Sequence, residues 1–320
     1  MYDVIIIGSG PAGFTSAIYA ARREMKTLII GREIGGQMVW ASEIENYPGF
    51  KSIESFELIS KMQDQVTGLG VEIKNTEVKK IVKNADENFI VYTEKEEFIT
   101  KTIILAMGLS PRRLEIEGEL KFNSKGVSYC ANCDGPFYKD KIIAVVGGGN
   151  SALDAAEVLS KIAKKVFLIH RNQTFKAFEV LIDEVKNRSN IEIMLDSEIS
   201  QIIGSNLVEK ILVKNVINGA ISEIDLGGVF IEVGRIAKTD LVSEFVERDM
   251  KNQIIVDEKC RTKTNGIFAA GDVTTTEYKQ ITVAIGQATV AALSAYQYLQ
   301  LRHGKKTGAA VDRSTKKVQH

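Results

Sequence analysis

The chain of 320 residues is longer than a comfortable single domain and predicts two, each large enough to bury its own core. Its 44% hydrophobic and 26% charged residues exclude a disordered or fibrous chain, and 41 basic against 41 acidic side chains leave no global field for nucleic acid or an anionic membrane. Three cysteines are too few for the disulfide framework of a small secreted protein, no basic leader precedes the first apolar run, and Gly8 breaks that run. The expectation is a reducing, cytoplasmic setting with neither a signal peptide nor a membrane span.

The first pattern in the chain is DVIIIGSGPAGFTSAIYAARREMKTLIIG, which predicts strand, glycine turn, helix and strand, with Gly8, Gly10 and Gly13 at the turn. In such a turn the first glycine makes the tight bend, the second lets backbone approach a pyrophosphate, and the third lets helix pack on strand. The helix N-terminus then offers its amides to the phosphates. The second strand runs out through GREIGGQ, which offers Glu33 to a ribose hydroxyl and Gly35 and Gly36 for close approach, as suits an adenine dinucleotide without a 2′-phosphate. Residues 71–108 predict a small antiparallel insertion that returns to a parallel strand at 103–106.

YCANCDG follows at 129–135, and then KIIAVVGGGNSALDAAEVLSKIAKKVFLIHR repeats the first pattern with Gly147, Gly149 and Ala152 in the same three places. This second strand ends in His170 and Arg171, and a basic pair there suits a 2′-phosphate. A second β-rich stretch covers residues 191–233; GIFAAGD is a strand closing on Gly271 and Asp272; residues 281–299 predict an amphipathic helix; and from His303 the chain is polar, with frayed ends expected.

Two dinucleotide sites and one CxxC on a single chain suggest an electron route from nicotinamide to flavin to disulfide to a partner. One thiol of the pair must be activated as thiolate, and Asp134 can protonate the thiolate that leaves, provided partial burial raises its pKa. A zinc half-site is the competing reading, but Cys260 and the three histidines, His170, His303 and His320, supply no second ligand pair, so no metal is expected. A pair of inert buried thiols would leave Asp134, Gly135 and Pro136 unexplained, and Cys260 is assigned no role.

GSGPAG, GGQ followed by ENYPG, CANCDG just ahead of GGGNSA, HRN, and GIFAAGDV followed by KQITVAIGQ together resemble the bacterial and archaeal low-molecular-weight thioredoxin reductases, over about residues 1–300. The resemblance implies an α/β fold of two Rossmann-like dinucleotide-binding domains of the three-layer ββα type. An NAD(P)H-binding domain with the CxxC (113–236) is inserted in an FAD-binding domain (1–112 and 237–320). FAD would be held by Gly8, Ser9, Gly10, Pro11, Ala12, Gly13, Glu33, Gly35, Gly36, Gln37, Asn46, Gly271, Asp272, Lys279, Gln280 and Ile281, with the helix from Ile281 aiming its positive end at the flavin. NADPH, with NADH possible, would be held by Gly147, Gly149, Asn150, Ser151, His170, Arg171 and Lys176. Cys133 would face the flavin, Cys130 would attack the partner disulfide, and Asp134 would be the acid.

The resemblance further implies a homodimer, a rotation of the nucleotide domain about residues 109–113 and 234–238, and thioredoxin or a thioredoxin-like protein as partner. A peroxiredoxin-type or glutaredoxin-like disulfide, or a flavin redox sensor without turnover, are the alternatives. HRNQTFKA departs from the pattern HRRxxFRA by placing Asn172 and Lys176 where arginines are usual, and LAMG stands where ATG is common. The preference for NADPH is therefore expected to be shallow.

Overall fold

The computed structural model describes residues 1–40 and 43–304, without the side chains of Trp40, Glu43, Asn132 and Cys133. Most of the polar tail expected from His303 thus lies outside the described residues. Val4, Ile5, Ile6 and Ile7 are all buried, as a strand covered on both faces requires, and form β1 (Tyr2–Ile7). Pro11, its φ already helical, opens α1 (Pro11–Arg22), and the chain returns through β2 (Thr27–Ile30), parallel to β1. A short antiparallel pair, β3 (Glu43–Ile44) and β4 (Ile53–Glu54), precedes α2 (Ser55–Gly68). Then come β5 (Glu72–Lys74), β6 (Lys80–Lys83), β7 (Phe89–Tyr92) and β8 (Glu97–Leu105).

The sequence reading put residues 71–74 in the antiparallel insertion; instead β5 is a parallel edge strand on β2. β8 also begins earlier than the parallel strand expected at 103–106. Its first half pairs antiparallel with β7 and its second half parallel with β1, so one strand serves both layers. The burial pattern shows why: the first half is partly exposed and the last four residues are wholly buried.

Two further short strands follow, β9 (Ser110–Pro111) and β10 (Val127–Ser128), then the single turn α3 (Ala131–Asp134). The repeat is β11 (Ile142–Val146), α4 (Asn150–Ser160) and β12 (Lys165–Ile169), followed by α5 (Glu179–Lys186) and β13 (Ile191–Met194). An antiparallel meander of β14 (Ser197–Gly204), β15 (Val208–Asn215) and β16 (Ile221–Asp225) leads to β17 (Gly228–Ile231) and β18 (Arg235–Ile236). The chain ends its described course with β19 (Ile267–Ala269) and α6 (Ile281–Arg302).

Met1–Val39, Glu43–Leu109 and the chain from Ala237 cluster as one unit, and Ser110–Ile236 make most of a second. The strands flanking the crossings, β9 and β18, pair antiparallel. In the first unit the parallel order is β5-β2-β1-β8-β19, and in the second it is β13-β12-β11-β17-β10, the same spatial order twice, with the outer strand last in the chain in the first unit and first in the second.

Side chains alternate across each parallel sheet. In the second unit Ala144, Val146, Phe167 and Ile169 pack on the meander with Ile199, Ile211 and Val213, while Ile143, Val145, Val166 and Leu168 pack on α4 through Leu153, Ala156 and Leu159. In the first, α1 meets α6 through small residues, and Ser16 donates to the Ala288 carbonyl at 3.3 Å. No described helix is long and apolar enough to cross a membrane.

Candidate active site

The two glycine turns divide their work in the same way. Gly8 stands at φ +116°, where a Cβ would meet the Ala106 carbonyl oxygen at 2.1 Å, and a Cβ on Gly13 would meet the Gly8 carbonyl oxygen at 1.9 Å. Both glycines are required by the protein's own packing. Gly10 is not: its φ is −88° and an added Cβ finds nothing nearer than Gly36 Cα at 3.7 Å. No side chain caps α1, so the space kept beside Gly10 and the amides behind it fit a dinucleotide pyrophosphate. In the second copy Gly147 at φ +147° stands 2.3 Å, from a built Cβ, off the Glu232 carbonyl oxygen, whereas Gly149 has only the Lys176 carbonyl at 3.8 Å. α4 is likewise uncapped by any side chain.

Around the first turn, the Ser9 hydroxyl donates to the Glu33 carbonyl at 2.9 Å and the Gly35 amide donates to the Ser9 carbonyl at 2.8 Å, tying the two loops together. Ser9 is thereby committed to the scaffold, while Glu33 is exposed just past the end of β2. Gln37 Nε2 donates to Asp272 Oδ2 at 2.9 Å, and Asn46 Nδ2 to Gln280 Oε1 at 3.1 Å. Gln287 Oε1 accepts from the Gly271 amide at 2.9 Å and holds the turn that presents Asp272. Lys279 Nζ donates to the carbonyls of Asp272 and Thr274 at 3.0 and 2.7 Å; burial lowers its pKa, with Asp272 and Asp249 opposing. It buttresses the Asp272 turn. Ile281 opens α6, whose N-terminus no side chain caps.

Around the second turn, residues 172–176 fold back so that the Lys176 amide donates to the Gly148 carbonyl at 2.7 Å. Arg171 and Lys176 are both exposed beside the glycines. His170 corrects the sequence reading of a basic pair. Its ring is buried, stacks on Phe175 at 5.5 Å between centroids, and meets the Thr174 carbonyl through Nε2 at 3.1 Å. Burial lowers its pKa, helped by Arg171 and Lys176 and opposed by Thr174, so it stands as neutral packing against Gly148. Asn150 Oδ1 accepts from the Phe178 amide at 2.8 Å, and Ser151 is exposed in the first turn of α4.

The CxxC lies at the end of β10, the edge strand of the second unit's sheet. Cys130 is disulfide-bonded and 7% exposed, and its amide donates to Ser128 Oγ at 3.0 Å. The Cys133 side chain lies outside the described residues. The Asp134 amide donates to the Cys130 carbonyl at 3.2 Å, and its half-buried side chain acts on Tyr138, whose pKa is raised by burial and then by Asp134. Cys260 is free and buried; its Sγ donates to the Gln287 carbonyl at 3.4 Å, and burial pushes the thiol up to about 11, well away from reactivity. Among the described residues no cluster of three or more metal-ligating side chains is found.

Residues 2–288 match the family described as pyridine nucleotide-disulphide oxidoreductase. The chain belongs to that family. It is 39% identical over 298 residues to a "34.2 kDa protein in rubredoxin operon" of Clostridium pasteurianum, covering 93% of this chain and 97% of that one. It is 36% identical over 302 residues to the thioredoxin reductase of Mycolicibacterium smegmatis, covering 93% and 97%. The solved thioredoxin reductase of Lactococcus lactis is similar at a TM-score of 0.84 and 42% identity, over 93% of this chain and 99% of that one.

One arrangement in this pyridine nucleotide-disulphide oxidoreductase was not read from its sequence. Glu119, 1% exposed, accepts from the amides of Leu114 and Glu115 at 3.0 and 2.7 Å and from the Tyr129 hydroxyl at 2.6 Å. It ties the segment after β9 to the residue preceding Cys130. No spacing signals it, because an acid in a loop reads as solvated surface until three donors are found to converge on it.

Proposed function

We propose that this oxidoreductase is an NADPH-dependent thioredoxin-disulfide reductase, with FAD on the first unit, NADPH on the second, and Cys130 and Cys133 as the redox-active pair. The observation that carries the reading is the position of the thiols. α3 follows an edge strand of the very sheet whose central strand leads into the second glycine turn, so one unit bears both the nicotinamide nucleotide and the disulfide. Relatives named thioredoxin reductase support the partner.

Bound FAD supplies the two-electron chemistry, taking a hydride from the nicotinamide and reducing a disulfide. The chain supplies the rest. Gly10 and the α1 amides hold one pyrophosphate, Gly149 and the α4 amides the other, Glu33 takes a ribose, and Arg171 with Lys176 take a 2′-phosphate. Asp134 gives a proton to the departing Cys130 thiolate when the pair is reduced, and Cys130 attacks the partner disulfide. In sum, one NADPH and one proton convert a disulfide to two thiols and NADP⁺. Cys130, 7% exposed in its disulfide, must be uncovered before its thiol reaches a protein, and the crossings at Leu109 to Ser110 and Ile236 to Ala237 are where the chain would hinge. A homodimer is part of the same proposal.

The Cys130→Ser variant is the test. It should still let NADPH bleach the flavin and should lose turnover with any protein disulfide. Appreciable thioredoxin reduction by that variant would overturn the order of transfer.

A further inference from the structure

Across the second unit's parallel sheet the strands run β13-β12-β11-β17-β10. Dinucleotides lie over the carboxyl edge of such a sheet, at the point where strand order reverses. On the reading above, the pyrophosphate sits at the glycine turn after β11 and the adenosine end reaches Arg171 after β12. The nicotinamide end then lies on the other side of β11, over β17.

The first residue past β17 is Glu232. Its amide donates to the Val146 carbonyl at 2.8 Å, and its carbonyl crowds Gly147, so its backbone is fixed against the glycine turn. Strand alternation puts Ile231 against the meander and Glu232 on the helix side with Phe230. The register Val127↔Val229 and Ser128↔Phe230, carried two residues on, sets Glu232 level with Cys130. The acid therefore stands between the glycine turn and the thiol pair, on the side of the sheet that α4 covers.

The charged groups that act on it come from two elements: Arg235 on β18 favours its ionised form and Asp154 on α4 opposes it. Cys130, as a disulfide, does not titrate. Burial is the largest influence, and together these push the carboxyl up to about 7. An acid poised there changes charge in the working pH range.

We propose that Glu232 is a positioning residue for the nicotinamide ring: its carboxylate favours the cationic ring of NADP⁺ over the neutral ring of NADPH, so that replacing the oxidised by the reduced nucleotide takes up a proton at this side chain. The inference rests on the second unit being the NADPH site. An opposite charge within about 4–6 Å lowers a carboxyl pKa by about 1–3 units, and each unit is tenfold in relative affinity.

The test is calorimetric titration of the oxidised holoenzyme with NADP⁺ and with the tetrahydronicotinamide analogue of NADPH, whose ring is neutral and cannot give a hydride. Ionic strength is held constant from about pH 5.5 to about pH 8.5. Both ligands carry the same 2′-phosphate, so its titration cancels in their affinity ratio. The ratio should move about tenfold towards NADP⁺ as pH rises, the change running from the lowered pKa of the carboxyl beside the cationic ring up to about 7, so that its midpoint falls below 7. Glu232→Gln, nearly isosteric, should bind both ligands with a flat ratio, and Arg235→Gln should move the midpoint to higher pH. A flat ratio in the wild type, or an unchanged slope in Glu232→Gln, overturns the role of Glu232 and leaves the nucleotide site standing. Failure of the wild type to bind either ligand overturns both.

Discussion

The His170 imidazole fills the space above Gly148, where a Cβ would lie 2.2 Å from the ring, and Phe175 closes its other face. A ring so placed is stable when neutral. Its folded pKa lies below the ordinary value of 6.5, so as pH falls below about 6.5 the unfolded chain takes up a proton that the folded chain refuses. Stability contributed by this residue is present above that pH and lost as pH drops through the folded pKa. Denaturant titrations between about pH 7.5 and about pH 5 should show that slope, and His170→Phe should reduce it; an equal slope in both would remove His170 from the account.

In the proposed site, with His170 neutral, the 2′-phosphate would be left to Arg171 and Lys176, and Asn172 offers no charge. A charge-assisted hydrogen bond is worth about 1.5–3 kcal/mol, so kcat/KM should favour NADPH only modestly, and Asn172→Arg should steepen the preference by about 10-fold or more. A preference for NADH in the wild type would contradict the assignment. The exposed place of Arg171 just past β12 was legible, because the apolar run of the strand ends there. The burial of its neighbour was not, since it depends on residues 172–176 folding back onto Gly148.

At the level of elements, each turn contains glycines the scaffold needs and one that the scaffold does not need. Gly8→Ala places a side chain at φ +116° against a backbone oxygen, strain of about 1–3 kcal/mol before the clash is counted, and should sharply lower the melting temperature. Gly10→Ala meets nothing closer than 3.7 Å and should fold normally, yet retain FAD at least about tenfold more weakly. Thermal unfolding with flavin content after gel filtration separates the two effects; a Gly10→Ala protein that keeps its flavin as tightly as wild type would refute the cradle. The strand-turn-helix units were legible because their periodicity changes at the glycines. The parallel strands β5 and β13 were absorbed into the neighbouring antiparallel stretches, because three or four β-branched residues read alike in either sheet and only pairing across the sheet tells them apart.

At the scale of the whole molecule, one spatial order of parallel strands is used twice and its outer strand is put to two uses. β19 leads to Gly271, Asp272 and the N-terminus of α6, and β10 leads to Cys130 and α3. Duplication was visible in the two glycine motifs, but the correspondence of these edge strands was not, since β10 has only two residues and no periodicity to read. The central claim is that electrons from NADPH leave through the thiol pair to a protein disulfide. Its most direct measurement is the stoichiometry of NADPH oxidised to thioredoxin thiols formed by the wild-type holoenzyme under anaerobic conditions. The account predicts two thiols for each NADPH consumed; NADPH oxidation without thiol formation, or no oxidation when oxidised thioredoxin is added, would contradict it.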